Sequence, residues 1–185
     1  MKKIALFVDV QNIYYTVRDG HQCHFNYSAL WRQLSAEGDI VVANAYAIER
    51  NDARQQGFQQ ILRDLGFNVK LKPYIQRADG SAKGDWDVGL TIDVMDAVSG
   101  ALAGNQKEAL NQKEPIDQKE LIDQKELIDQ VVLLSGDGDF DLLLKRVKEG
   151  FGINTLVYGV PALTAASLID AATEFRPIQG GLLLK

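Results

Sequence analysis

The stretch Val131-Val132-Leu133-Leu134-Ser135-Gly136-Asp137-Gly138-Asp139-Phe140-Asp141 decides how this chain is read. Four consecutive apolar residues without polar alternation predict a strand buried on both faces, as in the interior of a parallel sheet. Gly136 and Gly138 permit a tight turn directly after it. Three alternating acids, Asp137, Asp139 and Asp141, then crowd the strand end and the start of the next helix.

Working outward, four more apolar runs bounded by polar residues or glycine predict strands: Ile4 to Val10, Ile40 to Ile48, Phe67 to Tyr74 and Ile153 to Tyr158. Between and after the strands, apolar residues recurring three and four apart predict helices over Tyr27 to Glu37, Asn51 to Leu65, Asp85 to Leu102, Asp139 to Glu149 and Pro161 to Phe175. Gly66 and Gly150 read as helix stops. Strand and helix alternation predicts an α/β domain whose parallel sheet is covered on both faces and binds its ligand beyond the carboxyl ends of the strands.

The residues that follow the strands then carry the functional reading. The first strand closes on Asp9, with Asn12 three residues on; taken alone, Asn12 also reads as a helix cap. A second acidic stretch, Lys83-Gly84-Asp85-Trp86-Asp87-Val88-Gly89-Leu90-Thr91-Ile92-Asp93, opens a helix, where Asp85 or Asp87 would serve as a cap. Asp93 lies six residues after Asp87 and faces another side of the helix, toward the site or toward solvent. Each acid has a structural explanation by itself, but their joint placement does not. Asp9, Asp87 and the Asp137 group are predicted to converge at one sheet edge, where their mutual repulsion calls for a hard cation. Oxygen-only ligands select Mg2+ or Mn2+, which suits hydrolysis of a phosphodiester. His21, Cys23 and His24 form a crowded trio with no matching second cluster, a weak pattern for zinc.

These motifs carry a resemblance. FVDVQN, KGDWDVGLTIDV and SGDGDF are similar to the three acidic motifs of the NYN domain, a branch of the PIN-like nuclease superfamily, and particularly of its bacterial LabA-like members. The resemblance spans nearly the whole chain and implies a PIN-like (Rossmann-like) three-layer domain over residues 1–185. Its parallel sheet is ordered 3-2-1-4-5, with helices on both faces. It implies a metal-dependent ribonuclease in which Asp9, Asp87, Asp137 and Asp139 form the acidic set and Asn12 the accompanying asparagine. Asp93 matches a further acid of the helix motif, and Asp141 sits where some relatives carry another. The chain departs from the family where Thr173 stands in place of an acid before Phe175.

A hydrolase of RNA also needs cations. Lys83 lies inside a motif, Lys70, Lys72 and Arg77 flank the third strand, and Arg50 and Arg54 follow the second. Tyr14, Tyr15 and Trp86 are candidates for stacking on unpaired bases, although an aromatic near a helix start usually belongs to the core. The alternative to an enzyme is a non-catalytic RNA-binding or regulatory scaffold with the same fold. A haloacid-dehalogenase-like phosphatase is disfavoured because Gln11 occupies the place of its second acid. A receiver domain lacks its paired acids here.

Composition fits this reading. The 185 residues are 46% hydrophobic and 24% charged, as in one globular domain. Cys23 has no second cysteine to pair with, no apolar run is long enough to span a membrane, and Asp9 interrupts the only stretch resembling a signal peptide; a cytoplasmic protein is expected. The net charge of −5 argues at first against a nucleic-acid partner. However, a hexapeptide repeat at about residues 105–130 (QKEALN, QKEPID, QKELID, QKELID, Q) accounts for −3 of it, since four Lys stand against four Glu and three Asp. Six helical steps rotate each repeat by about 120°, so no single apolar face forms. The segment reads as a solvated insertion, expected at the end of the sheet away from the site. The apolar C-terminal run Gly180 to Lys185 is a candidate for packing against a second copy.

Overall fold

The computed structural model describes residues 1–49, 52–73, 85–100 and 128–184, and the backbone of 75–76 and 82–83. In chain order the elements are β1 (Lys3–Asp9), α1 (Val10–His21), β2 (His24–Phe25), α2 (Tyr27–Glu37), β3 (Asp39–Glu49), α3 (Ala53–Leu65), β4 (Asn68–Pro73), β5 (Ile75–Gln76), β6 (Ala82–Lys83), α4 (Asp87–Ser99) and β7 (Gln130–Leu134). A 3-10 turn (Gly138–Phe140) leads into α5 (Asp141–Phe151) and β8 (Asn154–Gly159). A second 3-10 turn (Pro161–Leu163) precedes α6 (Ala166–Ala171), β9 (Glu174–Pro177), a third turn (Gly180–Leu182) and β10 (Leu183–Leu184).

Six strands form one parallel sheet in the order β4-β3-β1-β7-β8-β9. The order expected for the five predicted strands is therefore present, with β9 added at one edge. The two central strands are apolar over Ile4 to Val8 and Val131 to Leu134 because both faces are covered there. Along β1, Ile4, Leu6 and Val8 enter a core with α1 and α2, while Ala5 and Phe7 enter a second core with α4 and α5. Along β7, Val132 and Leu134 join the first core, and Val131 and Leu133 the second. This period-two division makes the register strict, and it pairs Val8 with Leu134, so Asp9 and Ser135 emerge side by side past the strand ends.

Four expectations need correction. The first strand ends at Asp9, and Val10 begins a helix absent from the sequence reading. Its cap is Asp9, whose Oδ1 accepts the Asn12 N–H at 3.1 Å, so Asn12 lies inside the helix and caps nothing. The helix expected over Pro161 to Phe175 is broken into a 3-10 turn, the short α6 and the start of β9. Thr173 is drawn into extended pairing by buried Thr155, donating its N–H to the Thr155 carbonyl (3.0 Å) while its Oγ1 accepts the Thr155 N–H (3.1 Å). Tertiary hydrogen bonds here outweigh helical spacing. Gly150 does not stop α5, which ends at Phe151 with Gly152 in the left-handed region, φ +67°. Gly66, φ +110°, closes α3 as expected.

The C-terminal run folds onto its own chain, Leu183 and Leu184 pairing with Phe25 and His24 of β2. Most of the repeat lies outside the described residues. Its last three, Ile128, Asp129 and Gln130, lie within them. Ile128 is buried, the Asp129 carboxylate accepts the Lys3 N–H at 2.7 Å, and the Gln130 side chain accepts from Lys2 Nζ at 3.0 Å. The repeat thus rejoins the sheet at the amino end of its strands.

Candidate metal centre

The site is built where β1 and β7 end. Asp9 is held by two donors, the Asn12 N–H on Oδ1 and the Ser135 hydroxyl on Oδ2 at 3.4 Å. Ser135 is fully buried, and its Oγ also accepts the Asp137 N–H at 3.2 Å. The Asn12 side chain crosses to the neighbouring strand end, Oδ1 accepting the Gly136 N–H at 2.8 Å. Asn12 is therefore a positioning residue that ties the start of α1 to the acidic turn. Asp137 stiffens that turn in its own right, Oδ1 accepting the Asp139 N–H at 3.0 Å.

Asp87 enters from the first turn of α4. Neither it nor Asp85 caps the helix; the cap position is Trp86, with no side-chain hydrogen bond. One carboxylate oxygen from each of Asp87, Asp137 and Asp139 lies within 4.8 Å of the others. Among the described residues, no other group of three or more metal-ligating side chains is gathered, so His21, Cys23 and His24 do not form one. Adjacent oxygens around an octahedral Mg2+ stand about 3 Å apart and opposite ones about 4.2 Å, so the three carboxylates would draw together to hold such an ion. The donors are all oxygen, as a hard cation requires.

Electrostatics at the site are those of crowded anions. Burial, followed by the Asp87 and Asp137 charges, pushes Asp9 up to about 6 against the opposing Asn12 and Ser135 hydrogen bonds. Asp87 is likewise raised, first by burial and then by Asp137, Asp85 and Asp139, with Lys72 pulling the other way. Lys72, on β4, is thus a cation that the Asp87 carboxylate feels. Its Nζ donates to the Asp85 carbonyl (2.9 Å) and stands 4.5 Å over the Trp86 ring. Trp86 itself packs on Tyr46 at 5.3 Å and donates Nε1–H to the Ala47 carbonyl at 2.8 Å, which places it in the support of the site.

Of the expected metal ligands, Asp9, Asp93 and Asp141 are not in the carboxylate trio; Asp9 stands beside it, within electrostatic reach of Asp87 and Asp137. Asp141 pairs with Lys145 one turn on, at 3.3 Å. Asp93 accepts from both Lys70 Nζ and the Tyr46 hydroxyl, each at 2.6 Å, and Asn44 donates to the same hydroxyl at 3.2 Å. This chain fastens α4, and hence Asp87, to β3 and β4. Lys70 is consumed by it. Sequence spacing could not reveal the link because its members come from three elements far apart in the chain. Asp93→Ala leaves the Lys70 ammonium and the Tyr46 hydroxyl short of their acceptor. It is expected to cost roughly 2–3 kcal/mol in urea denaturation. Of the other predicted cations, Arg50 and Arg77 and the Lys83 side chain lie outside the described residues.

A six-stranded parallel sheet with an acidic trio beyond the ends of its central strands defines a class, and comparison with known families agrees. The NYN domain model matches residues 3–105 and 101–179, and the chain belongs to that family. Among solved structures, it is similar to a protein of unknown function, VPA0982, from Vibrio parahaemolyticus RIMD 2210633. The two are 43% identical over 99% of this chain and 96% of that one, with a TM-score of 0.79. No match was found among curated proteins. Among the described residues, no helix is long and apolar enough to cross a membrane.

Proposed function

We propose that this protein is a cytoplasmic metal-dependent ribonuclease of the LabA-like branch, hydrolysing RNA phosphodiester bonds at the Asp9, Asp87, Asp137 and Asp139 cluster. The observation that carries the reading is the convergence of Asp87, Asp137 and Asp139 within 4.8 Å, beside a carboxylate whose ionisation is already resisted. Mg2+ or Mn2+ held there would neutralise the acids, acidify a water and offset charge developing on the phosphate. The chain's own residues supply the rest. Asn12 and Ser135 fix Asp9, the Asp137 to Asp139 turn fixes its two carboxylates, and the Asp93 network fixes Asp87. Lys72 places a positive charge at the rim, where a phosphate would lie.

Incubation of labelled RNA with Mn2+ tests the assignment. The wild type is expected to cleave, and Asp137→Asn and Asp139→Asn to lose on the order of 100-fold or more in rate. Undiminished cleavage by both variants would sink the assignment. Tight RNA binding without cleavage by any form would favour the scaffold alternative, in which Asp9 and Asp137 serve only as the caps they also are.

A further inference from the structure

We propose that the exposed face of α1 carries a slot for an unpaired guanine, formed by the Tyr14 and His24 rings; its place on an RNA substrate rests on the ribonuclease reading. Gln11, Tyr14, Tyr15 and Arg18 recur at spacings of three and four, on the face opposite buried Ile13 and Val17. Tyr14 is 44% exposed and Tyr15 43%, large rings that the core does not claim, standing edge to face at 5.3 Å. Across from Tyr14 is His24, exposed on β2. The two ring centroids are 6.4 Å apart and the planes 28° from parallel. A base between two rings needs two stacking steps of about 3.4 Å each; the 6.4 Å centroid separation is the upper limit of the present gap, so the rings must part to admit one.

The rings border a cavity of about 690 Å³ lined by Tyr14, Arg18, Asp19, Gln22, Cys23 and His24. Gln22 is the only non-glycine residue with positive φ among those described, at +52°, and this turn separates α1 from the strand bearing His24. The polar lining suits one base. The Asp19 carboxylate can accept from guanine N1–H and N2–H together, an arrangement adenine lacks, while Arg18 and Gln22 can donate to O6 or N7. A slot closed on both faces excludes a base stacked within a duplex.

The position is also apt. Arg18 lies nine residues beyond Asp9, about 14 Å along the helix. The far end of α1 packs where Gly20 meets Val160 and Leu163, just past the carboxyl end of β8. It therefore stays on the side of the sheet that holds the carboxylates, within reach of the same RNA strand.

Fluorescence anisotropy with short labelled single-stranded RNAs, G-rich or A-rich, tests the slot, with calcium replacing manganese. Tyr14→Ala and His24→Ala are expected to weaken G-rich binding by about tenfold or more, and Tyr14→Phe to retain it. Asp19→Asn should erase the preference for G over A, and duplex RNA should bind all forms alike. Equal affinity of wild type, Tyr14→Ala and His24→Ala for the G-rich strand would overturn the proposal. So would the lack of any G preference in the wild type. Two further readouts separate this failure from that of the ribonuclease reading. Manganese-dependent cleavage with an unaltered KM in Tyr14→Ala overturns the slot alone. Guanosine monophosphate quenching wild-type but not Tyr14→Ala fluorescence, in a protein that cleaves no RNA, upholds the slot alone.

Discussion

Asp9→Asn is expected to make the metal-free protein more stable at neutral pH while abolishing manganese-dependent cleavage. Asp9 is raised from 3.8 to about 6, mainly by burial and further by Asp87 and Asp137. The folded state therefore binds this proton more tightly than the unfolded chain does. Its contribution to stability is complete below pH about 4 and is lost as pH rises through about 6. At pH 7 the ionised group costs about 3 kcal/mol, two pH units at 1.36 kcal/mol each. Asparagine removes the charge and keeps an oxygen for the Asn12 N–H, and it caps helices as well as aspartate does. Rearrangement at Ser135 offsets part of the gain, leaving about 1–2 kcal/mol, or roughly 3–6 °C in thermal midpoint. Melting curves at pH 4 and pH 7.5 check this, since the two proteins should differ only at the higher pH. On the metal-site proposal, saturating Mn2+ should reverse the order, because the wild type would gain more from the ion than the variant. Identical midpoints under all three conditions would show that Asp9 bears no such strain.

Gly136→Ala is expected to destabilise the fold by about 2–3 kcal/mol and to displace the acidic turn. A Cβ at this position would stand 2.5 Å from the Leu163 carbonyl oxygen and 3.3 Å from Thr164 Cα. Both are backbone atoms, so no side chain can swing aside. The turn is also held from both sides, its N–H by Asn12 at 2.8 Å and its carbonyl by the Ala165 N–H at 2.9 Å. Relief of the clash must move either β7's end or the segment before α6, and the first carries Asp137 and Asp139 with it. Urea denaturation and the cleavage assay read the two effects separately. Gly57→Ala is the matched control. It lies within α3 with nothing inside 4 Å of the added carbon, and it should gain about 0.5–1 kcal/mol.

Much of this was legible because it is local. The apolar runs of β1, β7 and β8 have no polar face, which only a doubly covered sheet accommodates. Asp9, Asp87, Asp137 and Asp139 each stand at a strand end, a turn or a helix start, where chain direction alone limits where they can be. What escaped the sequence was set by partners far away in it. β9 exists because Thr155 engages Thr173, and α1 was obscured because its cap is also a site acid and its exposed face is aromatic. Asp93 resembles a site residue by motif, yet its environment is made by Lys70 and Tyr46, on two different strands. Asn12 could be assigned to the site by resemblance, but its bond to Gly136, 124 residues away, was not deducible.

The junction at Ile128, Asp129 and Gln130 bears on how the repeat could have changed length. The same Ile-Asp-Gln triplet recurs at 116–118 and 122–124. Loss or duplication of one six-residue unit would therefore still deliver an isoleucine to the core, an aspartate to the Lys3 amide and a glutamine to the first position of β7. A slip by any other number of residues would present different side chains there. The fold thus offers a seam at which length can vary in whole units, on the strand end remote from the carboxylates, without the acidic cluster registering the change.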